Sequence, residues 1–261
     1  MHSVKILKRL SVCLLSSGLC ANAMAKDEQA GDQSSVPSPW AGSKVSLADI
    51  QTSSGNKSSV SIALKALLDY TYLRWNDIVN LSYKYGQTNK VVDVRRYSAE
   101  NELQYSFNDD ANIDNFVYIK ASAINDDFAA FQKQDLVVAG YGRDWIKTDK
   151  YVLRTQVAPG LRETEPQDDS KKAVTAFATQ ISGLAKWQMT KTMSLMQTLD
   201  YTVGKPTNYL KSATVFQSSL TGALALNVEY DLDYYETPPS GSDASKIDTT
   251  TSLSLVYTFP T

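Results

Sequence analysis

Hydrophobic and polar residues alternate strictly along two stretches near the end of the chain. From Ala223 to Glu236, Leu224, Leu226, Val228, Tyr230, Leu232 and Tyr234 share one parity, while Ala225, Asn227, Glu229, Asp231 and Asp233 share the other. From Lys246 to Phe259, Thr249, Thr251, Leu253, Leu255, Tyr257 and Phe259 alternate with Thr250, Ser252, Ser254, Val256 and Thr258. A period of two means a β-strand with unlike faces. Strands near ten residues long, oily on one side and polar on the other, are what a transmembrane β-barrel requires.

Earlier segments repeat the scheme. Ser58 to Tyr72 puts Val60, Ile62, Leu64, Ala66, Leu68 and Tyr70 on one face and Ser61, Lys65 and Asp69 on the other. Trp75 to Tyr85 and Asp93 to Phe107 behave likewise. In the middle, Ile113 to Ile124 and Ala130 to Ile146 hold apolar residues on both parities. Tyr151 to Glu163 carries Ala158-Pro159-Gly160 in its interior, which predicts a bulge or bend because proline lacks the ladder N–H. Ala173 to Gln188, Met193 to Val203 and Thr207 to Leu220 follow. With a first strand at Trp40 to Gln51, the pattern predicts about twelve strands, an even number as bacterial barrels have. The fold class is all-β: an antiparallel transmembrane β-barrel over 40–259, preceded by a signal peptide.

The connections sort into two ends. Thr71-Arg74, Asn108-Asn112, Lys147-Lys150, Met189-Thr192 and Thr221-Gly222 are turns on one side. Gln51-Lys57, Gly86-Val91, Asn125-Ala129, Glu163-Lys172, Gly204-Pro206 and Glu236-Ser245 lie on the other, which faces outside if both termini are periplasmic. Trp75, Phe107, Trp145, Tyr151, Trp187, Tyr257 and Phe259 then gather at the periplasmic interface, and Tyr83, Tyr85, Tyr230 and Tyr234 at the outer one, as amphipathic rings do at headgroup level.

The start of the chain reads differently. Lys5, Lys8 and Arg9 precede the apolar run Leu10 to Leu19, and Ala23-Met24-Ala25 offers a small-x-small cleavage site. Residues 1–25 are therefore expected to be a secretory signal peptide. Residues 26–39, polar and carrying Pro37 and Pro39, are expected to be a flexible periplasmic leader. Processing would alter the charge: the chain holds 26 Lys+Arg and 28 Asp+Glu, and the signal takes three bases and no acids, leaving 23 against 28, or −5. That mildly acidic balance gives no argument for nucleic acid. Cys13, Cys20 and His2, the only cysteines and histidine, leave with the signal. Ser-His and Cys-His nucleophilic sites and His/Cys zinc sites are thereby excluded. Carboxylate-only acid–base chemistry and oxygen-ligated Ca²⁺ stay open in principle, but no loop has the ligand spacing, and no cofactor or metal is expected.

Lumen candidates follow from the polar parity: Lys65, Asp69, Lys84, Glu100, Glu102, Lys120, Arg143, Arg154, Lys186, Asp200, Lys211, Glu229, Asp231 and Asp233. Their mixed signs allow two outcomes, pairing that fills the lumen or the lining of a small hydrated channel. Glu229, Asp231 and Asp233 stack three carboxylates on one face. Such a ladder could hold a cation, or interdigitate with lumen lysines and arginines.

Several blocks resemble a known family. Trp40-Ala41-Gly42, Leu47 and Thr52-Ser53-Ser54-Gly55-Asn56 look like its first strand and turn. Arg96-Tyr97-Ser98-Ala99, Ala158-Pro159-Gly160-Leu161-Arg162 and Asp248 to Phe259 look like later blocks. The family is the salt-induced outer-membrane proteins (YdiY-like), whose molecular function is undefined. The resemblance implies a barrel in the Gram-negative outer membrane and a link to salt or envelope stress, and it carries no catalytic residues. The function expected is a structural barrel or narrow pore rather than an enzyme. Its partners would be outer-membrane lipid and, during biogenesis, the barrel-assembly machinery, with no nucleic acid and a monomeric state. A carboxylate-based membrane enzyme and a soluble periplasmic β-protein are the alternatives.

Overall fold

The computed structural model describes residues 39–40, 42–49, 59–89, 91–107, 114–129, 131–167, 172–237 and 246–259. The expected signal peptide, nearly all of the leader, and the connections 51–57, 108–112 and 238–245 lie outside the described residues.

Twelve strands run β1 (Lys44–Asp49), β2 (Ser59–Tyr72), β3 (Trp75–Thr88), β4 (Val91–Ser106), β5 (Asp114–Asp126), β6 (Phe131–Lys147), β7 (Tyr151–Pro166), β8 (Val174–Gln188), β9 (Met193–Gly204), β10 (Tyr209–Ser219), β11 (Leu224–Tyr235) and β12 (Ile247–Thr258). Each pairs antiparallel with its neighbours in sequence, and β1 pairs with β12, so the sheet closes on itself. Closure removes the open edges that a sheet in lipid could not satisfy.

Alternation decides which face looks out. In β11, Val228 and Tyr230 are exposed while Ala225, Asp233 and Tyr235 are buried; in β12, Leu253, Leu255 and Tyr257 are exposed while Ser252, Ser254 and Val256 are buried. The outer surface thus carries Ile62, Leu64, Leu81, Ile119, Val157, Leu161, Ile181, Leu199 and Leu255. Aromatic rings mark both ends of this apolar band. At the end of the short turns, Trp75 packs on Tyr105 and Tyr105 on Phe107, and Tyr257 packs on Phe259. At the loop end Tyr83 stacks on Tyr97.

Three expectations need correcting. The first strand begins at Lys44 rather than Trp40, and its expected last residues, 50 and 51, lie outside the described ones. Pro159 introduces no bulge: the pairs Val138↔Gly160 and Tyr141↔Val157 keep one register across it. Pro159 lies on the outer face, and β6 and β7 approach so closely there that a Cβ on Gly160 would strike Val137 O and the Val138 backbone. Glycine is required at that contact because any side chain would separate the strands. The register shifts fall elsewhere, at Gly86/Gln87, Phe131/Lys133 and Asp144/Ile146. Third, β7 continues past Glu163 to Pro166, so the charged loop begins later.

The wall β5–β8 carries an apolar cluster on its inner face, made of Phe116, Tyr118, Leu136, Val138, Ala158 and Ala178. The Phe116 ring lies where a side chain on Gly142 would be. This inward packing explains why both parities of the middle strands are apolar.

Candidate functional site: the barrel lumen

The acidic ladder on β11 faces a basic ladder across the lumen. Lys65 on β2 donates to Glu229 Oε2 at 2.5 Å, and its Nζ is 3.9 Å from Asp231. Lys84 on β3 donates to Asp231 Oδ2 at 3.1 Å. Arg96 on β4 donates to Asp233 Oδ2 at 2.7 Å, with Asp126 on β5 at 3.7 Å. Register explains the match. Lys65 opposes Ser82, two residues from Lys84, and Lys84 opposes Arg96, so the three bases climb adjacent strands. Glu229, Asp231 and Asp233 climb at the same pitch along one strand. The partners are separated around the ring by β1 and β12 at least, and in the Arg96 pair by β3, β2, β1 and β12. These bonds therefore span the interior rather than follow the wall. All six side chains keep some exposure, from 11% to 30%.

A second set of bonds closes the loop end. Tyr209 on β10 donates to Asp233 Oδ1 at 2.5 Å and stacks on Tyr235 with centroids 4.8 Å apart. Gln134 on β6 donates to Tyr235 Oη at 2.9 Å, and Phe131 packs on the same ring at 5.5 Å. Phe131, Tyr209 and Tyr235 are buried together. Beside them Arg162 donates to the carbonyl oxygens of Gly204 at 2.9 Å, Lys205 at 3.0 Å and Thr207, pinning the β9–β10 turn.

The other predicted residues divide by position. At mid-height Lys120 bridges Glu100 at 3.1 Å and Asp200 at 3.6 Å, and Glu102 accepts from Gln104 and Gln156, both at 2.6 Å. Arg154 holds Asp144 through Nε at 2.5 Å and NH2 at 2.9 Å, and its guanidinium covers the Phe116 ring at 4.7 Å. Lys211 opposes Asp200 and Asp233 in register. Asp69 accepts from Asn76 at 3.0 Å near the turn end. Lys186 lines a recess of about 280 Å³ there with Thr148, Asp149, Lys150, Tyr151 and Val152.

Arg143 was expected in the lumen and is not. It opposes Asn115, on the outer parity of β5, and its guanidinium lies 4.5 Å over the Trp145 ring in the turn-end girdle. Conversely, Phe131, Tyr209 and Tyr235 escaped the sequence reading, although Tyr235 carries the same parity as Asp233. Among the described residues no three acidic groups stand close enough to hold a metal ion.

A family model described as "Protein of unknown function, DUF481" matches residues 48–259. The chain belongs to this DUF481 family. Within DUF481 it is similar to "Uncharacterized protein YdiY" of Escherichia coli (strain K12), 24% identical over 265 residues, covering 97% of this chain and 99% of that protein. Among solved structures, the fold resembles the NanC porin, with a TM-score of 0.51 and 11% identity over 83% of this chain and 99% of that one. The KdgM porin aligns over the same shares with a TM-score of 0.49 and 10% identity. This DUF481 barrel thus has a fold like that of the NanC porin.

Proposed function

We propose that the chain is a monomeric barrel of the Gram-negative outer membrane, with its turn end in the periplasm and its lumen braced by internal ion pairs. It is a structural barrel or a narrow pore that passes at most small ions, with a weak preference for cations. The observation that carries this reading is the ladder of Lys65, Lys84 and Arg96 bonded across the interior to Glu229, Asp231 and Asp233. An open channel would leave these side chains hydrated on their own walls. A barrel of twelve strands also lies between small filled barrels and porins with aqueous channels. The acidic excess of the processed chain tilts the preference towards cations.

Lipid around the apolar band and the assembly machinery during biogenesis are the partners this reading needs. It assigns no catalytic role, because the processed chain would lack histidine and cysteine. The family resemblance adds a role under salt or envelope stress. Part-buried pairs resist screening better than surface pairs, so the braces would hold as external salt rises.

The test is conductance and reversal potential in planar bilayers under a salt gradient. Wild type should show small, weakly cation-preferring conductance or none. The triple variant Glu229→Gln, Asp231→Asn, Asp233→Asn frees three bases, and should raise conductance and move the reversal potential towards anions. A large anion-selective conductance in wild type would overturn the reading.

A further inference from the structure

Arg143 stands on the outer wall without a counter-charge. It lies in one row with Asn115 on β5 and Thr155 on β7, which oppose it directly on either side. The row interrupts a surface that is otherwise apolar at this height, where Val117, Leu153 and Val157 are exposed. Among the described residues Arg143 forms no ion pair, and its Nε is buried without a hydrogen-bond partner. The acids beside the row turn into the barrel: Ser106 donates to Asp114, and Arg154 holds Asp144. Asp149, in the following turn, lines the recess with Lys186.

The hydrogen bonds around the row leave donors over. Tyr141 Oη donates to Asn115 Oδ1 at 2.5 Å, and Trp145 Nε1 donates to Thr155 Oγ1 at 2.8 Å. Both acceptors are thereby engaged, while the Asn115 amide N–H groups, the Thr155 hydroxyl proton and the guanidinium remain to donate. The register shift at Asp144/Ile146 makes Trp145 the extra residue of a bulge. Bulges re-aim side chains, and this one leaves the Trp145 ring half exposed on the outer face, 4.5 Å beneath the guanidinium. Three donor side chains carrying one positive charge suit an oxyanion, and the planar guanidinium matches the oxygens of a phosphate. The site lies in the aromatic girdle, the level of lipid headgroups. The apolar residues flanking it suit acyl chains, from which a free phosphate would gain nothing.

We propose that Asn115, Arg143 and Thr155, with the Trp145 ring as platform, bind the phosphate of a membrane glycerophospholipid whose acyl chains lie along Val117, Leu153 and Val157. The choice of lipid rests on the reading above that the turn end lies on the periplasmic side, where the outer membrane's leaflet is glycerophospholipid.

The experiment uses the full barrel folded in detergent micelles doped with phosphatidylethanolamine or with diacylglycerol of the same chains. Both lipids are uncharged overall, so the comparison isolates the phosphate. A ligand bound only by the folded state raises the unfolding midpoint, read by heat-modified gel mobility. Wild type should unfold several degrees higher with phosphatidylethanolamine. Arg143→Gln should lose that difference while still folding in diacylglycerol micelles. Asn115→Ala, which removes one donor and leaves the charge, should shrink it. Arg95→Gln, which removes an exposed arginine at the loop end, should keep it whole. Equal midpoints for wild type in the two lipids would overturn the site, as would a difference that survives both Arg143→Gln and Asn115→Ala. The same rise from inorganic phosphate in diacylglycerol micelles would overturn the lipid as occupant. The measurement needs neither an open pore nor a membrane orientation, so its failure refutes the lipid site and leaves the proposed pore and sidedness standing.

Discussion

Leu226 and Asn227 are neighbours in the chain and lie on opposite sides of the β11 wall. Leu226 opposes Leu255 on the outer surface; Asn227 opposes Ser254 and Gln217, facing inwards. A charge on the lipid side near the midplane costs about 2–4 kcal/mol, so Leu226→Arg should impair assembly. Asn227→Arg should be tolerated better, since the new guanidinium would point into a polar lumen two residues from Glu229. The fraction of heat-modifiable, membrane-inserted protein measures both, and greater damage from Asn227→Arg would reverse the faces of this strand. At this scale the sequence is legible wherever one face is uniformly apolar, as in β2, β11 and β12. It misleads at Arg143. A charge in a strand reads as lumenal, but beside Trp145 it can lie against an aromatic face in the interfacial girdle.

Elements are legible to within a few residues where turn residues bracket an alternating run. The middle strands are not, because Phe116, Tyr118, Leu136 and Val138 turn apolar side chains into the barrel and erase the contrast between faces. Pro159 also misleads when read alone. Its missing donor suggests a bulge, but Gly160 beside it lets β6 and β7 pass close together with their register intact. The corresponding prediction belongs to the hairpin. Gly160→Val should sharply reduce folded barrel in the same heat-modifiability assay, because its Cβ would meet Val137 O and the Val138 backbone. Gly222→Val should have little effect, since nothing lies within 4 Å of the place its Cβ would take. Equal yields from the two would refute the close-packing account.

For the whole molecule, twelve strands and closure were legible from the count of alternating segments, while the cross-lumen pairing was not. Parity says that Lys84 and Asp231 both point inwards. Only the closed ring brings them within 3.1 Å. Sidedness is testable at this scale. With the turn end in the periplasm, Lys205→Cys should be labelled on intact cells by an impermeant thiol reagent, and Asp149→Cys should not. The opposite pattern would invert the barrel in the membrane.

The ladder also has a consequence in time. Lys65, Lys84 and Arg96 belong to the first third of the barrel sequence, and their partners to the penultimate strand. While the sheet is still open, Lys65 and Lys84 lack the acids they meet in the closed ring, Arg96 keeps only Asp126 on β5, and the acids of β11 lack these three bases, so a half-built wall would present charge still to be neutralised to whatever shields the nascent lumen. Meeting requires β12 to find β1, a step with large sequence separation and therefore intrinsically slow. The same six residues that brace the finished interior thus distinguish a completed molecule from an unfinished one, and a chain that stalls before its last hairpin remains marked by unmatched charge.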